Sequence, residues 1–163
     1  MSEQRDVPYL SVRDGEDAAH SPSTGSVAVL WCPDGLLLHH RDDDPSISNP
    51  GRWSLFGGAT DPNETPEQTV IRELHEELSV RARVDRTLWR VVDREGDGRL
   101  LHVFEMTTAS LPADMELNEG QGFAAFSLTD ALSLDLAPLA RRVIQALRPA
   151  QADRDGGTDG FAA

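Results

Sequence analysis

The chain has 163 residues, 39% of them hydrophobic, which suffices for one domain with its own core and no need of disulfide staples. Its 28 acidic against 15 basic residues give a formal net charge of -13, which argues against a surface that tracks the phosphate backbone of duplex nucleic acid. Every basic residue is arginine, so Schiff-base chemistry, a Walker-type phosphate loop and a lysine general acid are excluded.

Residues 1–24 mix Ser, Asp, Glu, Gly and Pro with few apolar residues, and read as a loosely ordered arm with one short edge strand at "PYLSV". From residue 25 the pattern changes. "SVAVLW" and "GLLLHHR" flank "CPDG", a turn signal that predicts a β-hairpin. The lone Cys32 sits in the first of these strands and reads as a buried structural thiol. A reducing compartment suits it. No run of about 18 apolar residues occurs and the first residues lack a basic start followed by an apolar stretch, so the expectation is a cytoplasmic protein with no membrane partner.

"RDDDPSISNPG" is a long loop that by position lines a cleft. Its three aspartates read as turn formers. A helix is predicted over 65–78: Thr65 with Gln68 makes a capping-box pattern, and Pro66 takes the first helical position, where its missing N–H costs nothing. On that helix Val70, Ile71, Leu74 and Leu78 share one face, while Glu73, Glu76 and Glu77 gather on a neighbouring one. "RTLWRVV" and "LLHVFEM" predict a second hairpin, "GFAAFS" a fifth strand, and "APLARRVIQAL" a closing helix. The core domain is thus expected over 25–148, followed by a disordered tail over 149–163.

Crowding carboxylates at i, i+3 and i+4 is locally unfavourable, by a few tenths of a kcal/mol per pair on an isolated helix, unless a cation offsets it. A hard divalent cation wants several oxygen ligands, and three glutamates on one rigid face supply them. A solvated acidic face is the plain alternative. The surrounding spacing favours the metal: from Gly58 the chain reads G-x5-E-x7-"RELHEELSV", which resembles the Nudix hydrolase box G-x5-E-x7-R-E-U-x-E-E-x-G-U, with U an aliphatic residue. Gly58, Glu64, Arg72, Glu73, Leu74, Glu76, Glu77 and Val80 match, and Ser79 stands where the family has glycine. "GRWSLFGG" is similar to the family's W-x-x-P-G-G entry, with Phe56 in place of proline. Serine at the end of the helix costs on the order of 1 kcal/mol or shifts the turn, and removes no ligand.

The resemblance implies an α+β fold, a Nudix-type αβα sandwich around a mixed β-sheet. It implies a metal-dependent pyrophosphohydrolase that cleaves a phosphoanhydride in a nucleoside diphosphate linked to another group, with a nucleoside triphosphate or a nucleotide sugar as substrate. Glu73, Glu76 and Glu77, with the Gly57 carbonyl, would bind Mg²⁺ or Mn²⁺, and Glu73 or Glu76 would deprotonate the attacking water. Arg72 would orient the carboxylates, and Glu64 would brace the loop or a second metal. Glu119 in "LNEGQG" is either a further catalytic or metal-binding acid or a solvated one, and its two flanking glycines suggest a loop that closes over substrate. Arg41 is either a phosphate contact or a surface arginine. The residues marking ADP-ribose or dinucleoside polyphosphate specificity are replaced by Glu95 and Asp97, so neither substrate is supported. The family also admits a homodimer. Two other readings are a Nudix-fold sensing or partner-binding module without catalysis, whose box carboxylates would be eroded, and an isopentenyl diphosphate isomerase, for which Cys32 is poorly placed.

Overall fold

The computed structural model describes residues 7–156, with side-chain surroundings as far as Arg148. The two predicted hairpins form as β1 (Thr24–Cys32) with β2 (Gly35–His40) and β5 (Arg83–Val92) with β6 (Leu100–Thr107). The first parts soon after its turn, since β1 and β2 pair only at Trp31↔Leu36 and Cys32↔Gly35. The segment "WSLFGGA" fills the opening wedge: β3 (Trp53–Ser54) adds to β2 and β4 (Phe56–Ala59) adds to β1. These two short strands were not legible in the sequence. Their partners are distant in sequence and they carry no run of their own. β7 (Gly122–Phe126) covers the other side of β2, and β1 runs parallel to β6 along its length, so the sheet is mixed.

β1 is buried on both faces, which explains its unbroken apolar run. Val27 and Val29 face one core with Leu38, Leu101 and the closing helix α4 (Pro138–Gly156). Ala28, Leu30 and Cys32 face the other, with Val70, Leu74 and Leu78 of the box helix α2 (Pro66–Leu78). The result is the expected α+β sandwich. Full burial of those three α2 side chains contributes roughly 1.5–3 kcal/mol each. Ile71 departs from the expected apolar face: it is 47% exposed, while Glu77 turns inward at 6%. The packed stripe is narrower than predicted and lies closer to the carboxylates.

The arm read as loosely held contains a docked helix, α1 (Val12–Ala18). Asp14 on it is fully buried, accepting from the Ser11 hydroxyl, the Val92 N–H, and the guanidinium groups of Arg94 and Arg142. "PYLSV" supplies one parallel bridge, Tyr9 to Arg90, and the Arg90 guanidinium lies 3.9 Å over the Tyr9 ring. Beyond Pro149, where a disordered tail was expected, α4 continues to Gly156. The first six residues and those after 156 lie outside the described residues. A short helix α3 (Leu128–Leu132), capped by Ser127, precedes α4. No helix among the described residues is long and apolar enough to cross a membrane.

Candidate active site

The capping box forms as the sequence dictates: the Gln68 N–H donates to the Thr65 hydroxyl at 3.2 Å and the Thr65 N–H to the Gln68 side chain at 2.9 Å. α2 therefore starts at a fixed point, with its register set against β4. Gly58 of β4 lies against this helix so closely that a Cβ there would stand 2.5 Å from the Glu73 carboxyl carbon. Gly57, at φ +153°, presses on the backbone of Ser26 and Val27, and its N–H donates to Glu77 Oε2 at 3.2 Å. Glycine at both positions is a condition for bringing strand and carboxylates together.

Arg72 is the hub. Its Nε donates to Glu64 Oε2 at 2.6 Å, Nη1 to Glu73 Oε1 at 3.0 Å and Glu76 Oε2 at 3.2 Å, and Nη2 to the Ala59 carbonyl at 2.9 Å. Glu64 also accepts from the Thr69 hydroxyl and the Asp61 N–H, each at 2.9 Å. The Arg72 hydrogen bond, with those donors, holds the Glu64 carboxyl down at about 2. Thr69 and Asp61 were missed by the sequence reading; both lie within the x5 and x7 gaps of the box, which specify no residue type.

Glu77 is in the opposite electrostatic state. Burial, then Glu73 and Glu119, push its carboxyl up to about 8 against the Gly57 N–H and Arg41. Burial raises Glu73 as well, with Arg72 opposing and Glu76 and Glu119 adding. The donor set is all oxygen and its charge is under-compensated, which is the chemistry of a site for a hard divalent cation. Among the described residues no three acidic, His or Cys side chains already converge as a closed cage. Glu73 and Glu76 both lean on Arg72, whose hydrogen bonds set their direction.

Glu119 comes from a different part of the chain. The preceding Asn118 donates its N–H to the Glu77 carbonyl at 2.9 Å, and His39 Nε2–H donates to the Glu119 carbonyl at 2.8 Å. Gln121 donates to the carbonyls of His40 and Arg41. A loop expected to close over substrate is thus tied down on both sides of Glu119, and what remains free to move is the exposed side chain. His39 and His40 are adjacent in β2, where successive side chains point to opposite faces. The two histidines do diverge: His39 stacks on Phe56 at 4.9 Å and burial holds its pKa down, whereas His40 stacks on Trp53 at 4.6 Å. Trp53 packs against the core on the α4 side of the sheet and meets Phe126 edge-on.

Arg41 follows β2. Its Nε donates to the Ser48 carbonyl at 2.8 Å, folding it over the 42–51 loop. There it lines a cavity of about 420 Å³ with Gly57, Gly58, Asn49 and Asp93. The cavity size is that of a small-molecule site. Gly57 and Gly58, against which the carboxylates of α2 pack, belong to its lining, and so do Ile47, Ser48 and Asn49 of the long loop, as its position suggested.

The sequence matches the family described as NUDIX domain over residues 22–147. It is 31% identical over 130 residues to the CTP pyrophosphohydrolase of Escherichia coli K12, covering 78% of this chain and 93% of that protein. It is 27% identical over 106 residues to the mouse diphosphoinositol polyphosphate phosphohydrolase 3-alpha, covering 64% of this chain and 59% of that one. The solution structure of the E. coli ORF135 protein superposes with a TM-score of 0.64 at 26% identity, over 81% of this chain and 92% of the other.

Proposed function

This chain belongs to the Nudix hydrolase family, whose members here act on phosphoanhydrides, and from that premise we propose that it hydrolyses a nucleoside triphosphate with the help of Mg²⁺ or Mn²⁺. The observation that carries the reading is the carboxylate face of α2, ordered by Arg72 against Gly57 and Gly58, two glycines that also line the cavity holding Arg41. Glu73, Glu76, Glu77 and the Gly57 carbonyl would hold the cation. When bound, it supplies charge neutralisation on the diphosphate and a larger hydroxide fraction at the attacking water. Arg41 binds phosphate oxygens, for which a guanidinium is suited. Glu73 or Glu76 accepts the proton of the attacking water, and Glu119, close enough to raise both Glu73 and Glu77, adds a further carboxylate.

The relative named for CTP supports a nucleoside triphosphate ahead of a nucleotide sugar. The intact carboxylates speak against a sensing module. The test is a panel of nucleoside triphosphates and nucleotide sugars with Mg²⁺ in oxygen-18 water, with products read by mass. Release of pyrophosphate and a nucleoside monophosphate from a triphosphate supports the reading; no turnover of any triphosphate sinks it.

A further inference from the structure

We propose that His39 is a positioning residue for the reaction: its ring N–H holds the backbone of Glu119, and so aims that carboxylate at Glu73 and Glu77. The inference rests on the hydrolytic reading above and deepens it.

The loop is anchored on both flanks. Asn118 is tied to the end of α2, its N–H donating to the Glu77 carbonyl at 2.9 Å, and Gln121 to the end of β2, its N–H donating to the His40 carbonyl at 2.8 Å. Only Glu119 and Gly120 lie between. Gly120 has φ +92°, in the left-handed region that glycine enters freely, so rotation about the dihedrals of this pair re-aims the Cα–Cβ bond of Glu119 while both anchors stay. His39 opposes that rotation. Its Nε2–H donates to the Glu119 carbonyl at 2.8 Å, and among the described residues this is the one hydrogen bond made to an atom of Glu119. A Cβ at position 120 would overlap His39 Nε2, so glycine is what lets the loop settle onto the ring.

The donor is itself rigid. His39 is buried in β2 between β3 and β7, paired with Ser54 and Phe123, and stacks on Phe56 with the ring planes 15° from parallel. Phe56, which stands where the family's entry has proline, supplies that stacking face. A neutral imidazole carries one N–H, and the carbonyl beside Nε2 fixes it on that nitrogen. Packing alone does not call for a polar ring here, since Leu37, two residues earlier and on the same face of the strand, is fully buried in the same core as Phe56. What the imidazole adds is a directed donor. Its bond ends on the residue whose charge is close enough to raise both Glu73 and Glu77.

The experiment measures triphosphate turnover with Mg²⁺ in wild type, His39→Leu, His39→Gln, Glu119→Gln and the double variant His39→Leu with Glu119→Gln. His39→Leu, which fills the space and removes the donor, should lower kcat about fivefold or more with KM within about twofold. His39→Gln, whose amide N–H reaches toward the same carbonyl, should return kcat to within about twofold of wild type. In Glu119→Gln the His39→Leu change should have no further effect, because the carboxylate it positions is gone. An unchanged kcat in His39→Leu overturns the proposal, as does an equal loss in the Glu119→Gln background, the mark of a merely structural role. Nitrogen-15 NMR of the metal-free protein supplies a readout apart from activity. Wild type should show His39 protonated at Nε2, and relaxation in His39→Leu should show Glu119 and Gly120 gaining motion while Asn118 stays ordered. A wild-type ring protonated at Nδ1 overturns the proposal without needing any variant to fold. A wild type that turns over no triphosphate sinks the hydrolytic reading, and the spectra then decide whether His39 holds the loop.

Discussion

The side-chain amide of Asn118 donates to the Ser79 hydroxyl at 3.1 Å and to the Glu76 carbonyl at 2.9 Å. A loop residue thus closes the C-terminal end of α2, where Ser79 adopts φ 53°, ψ 33° in place of the family's glycine. The left-handed conformation was expected of this position, and its cost of about 1 kcal/mol is partly offset by a hydrogen bond that glycine could not accept. The same contact delivers Glu119, the next residue, to the carboxylate cluster.

Ser79→Gly should therefore stabilise the protein by about 0.5 kcal/mol in wild type and about 1 kcal/mol in Asn118→Ala, where no hydrogen bond is lost. Urea unfolding of the four proteins measures the difference. Equal gains in both backgrounds would show that Asn118 does not compensate for the serine.

The elevated Glu77 carboxyl makes a prediction about pH. Its folded value, about 8, lies above the ordinary 4.5, so the folded state binds the proton more tightly and its contribution to stability is full below 4.5. That contribution is lost as pH rises toward 8. Metal-free wild type should lose stability over this window, and Glu77→Gln should lose distinctly less while turning over substrate orders of magnitude more slowly. Parallel stability profiles for the two proteins would contradict the burial argument.

Glu119→Gln should lower kcat by at least about 100-fold with little change in KM, the scale for loss of a positioned acid–base group. Because hydrogen bonds from Asn118 and His39 hold its loop, the variant should melt within about 2 °C of wild type, as for a surface substitution. Turnover within about threefold of wild type would reduce Glu119 to a solvated acid.

Activity should require a divalent cation and return after chelation once Mg²⁺ is restored, while Ca²⁺, with longer and looser coordination, should bind and support little turnover. Undiminished turnover in excess chelator would remove the metal from the mechanism.

Asp14→Ala should cost about 3 kcal/mol or more, because it leaves Arg94 and Arg142 without their buried partner. Urea unfolding reads the cost, and hydrogen exchange at α1 should rise in the variant. A loss below about 1 kcal/mol would mean that the helix is only loosely attached.

The sequence by itself determined what is local or periodic. The capping box of α2, the CPDG hairpin, the two-faced burial of β1 and the spacing that lines up Arg72 with Glu73 and Glu76 all follow from residues within a few positions of one another, where backbone geometry fixes the outcome. The tertiary structure decided what depends on distant partners. "SVRDGEDAA" carries no apolar stripe, and α1 exists because Asp14 meets Arg94 and Arg142, about 80 and 128 residues away in sequence. β3 and β4 exist because the first hairpin opens a wedge for them. Glu77 reads the same as Glu76 in sequence; only packing against Gly57 separates the buried, proton-hungry carboxyl from its 58%-exposed neighbour.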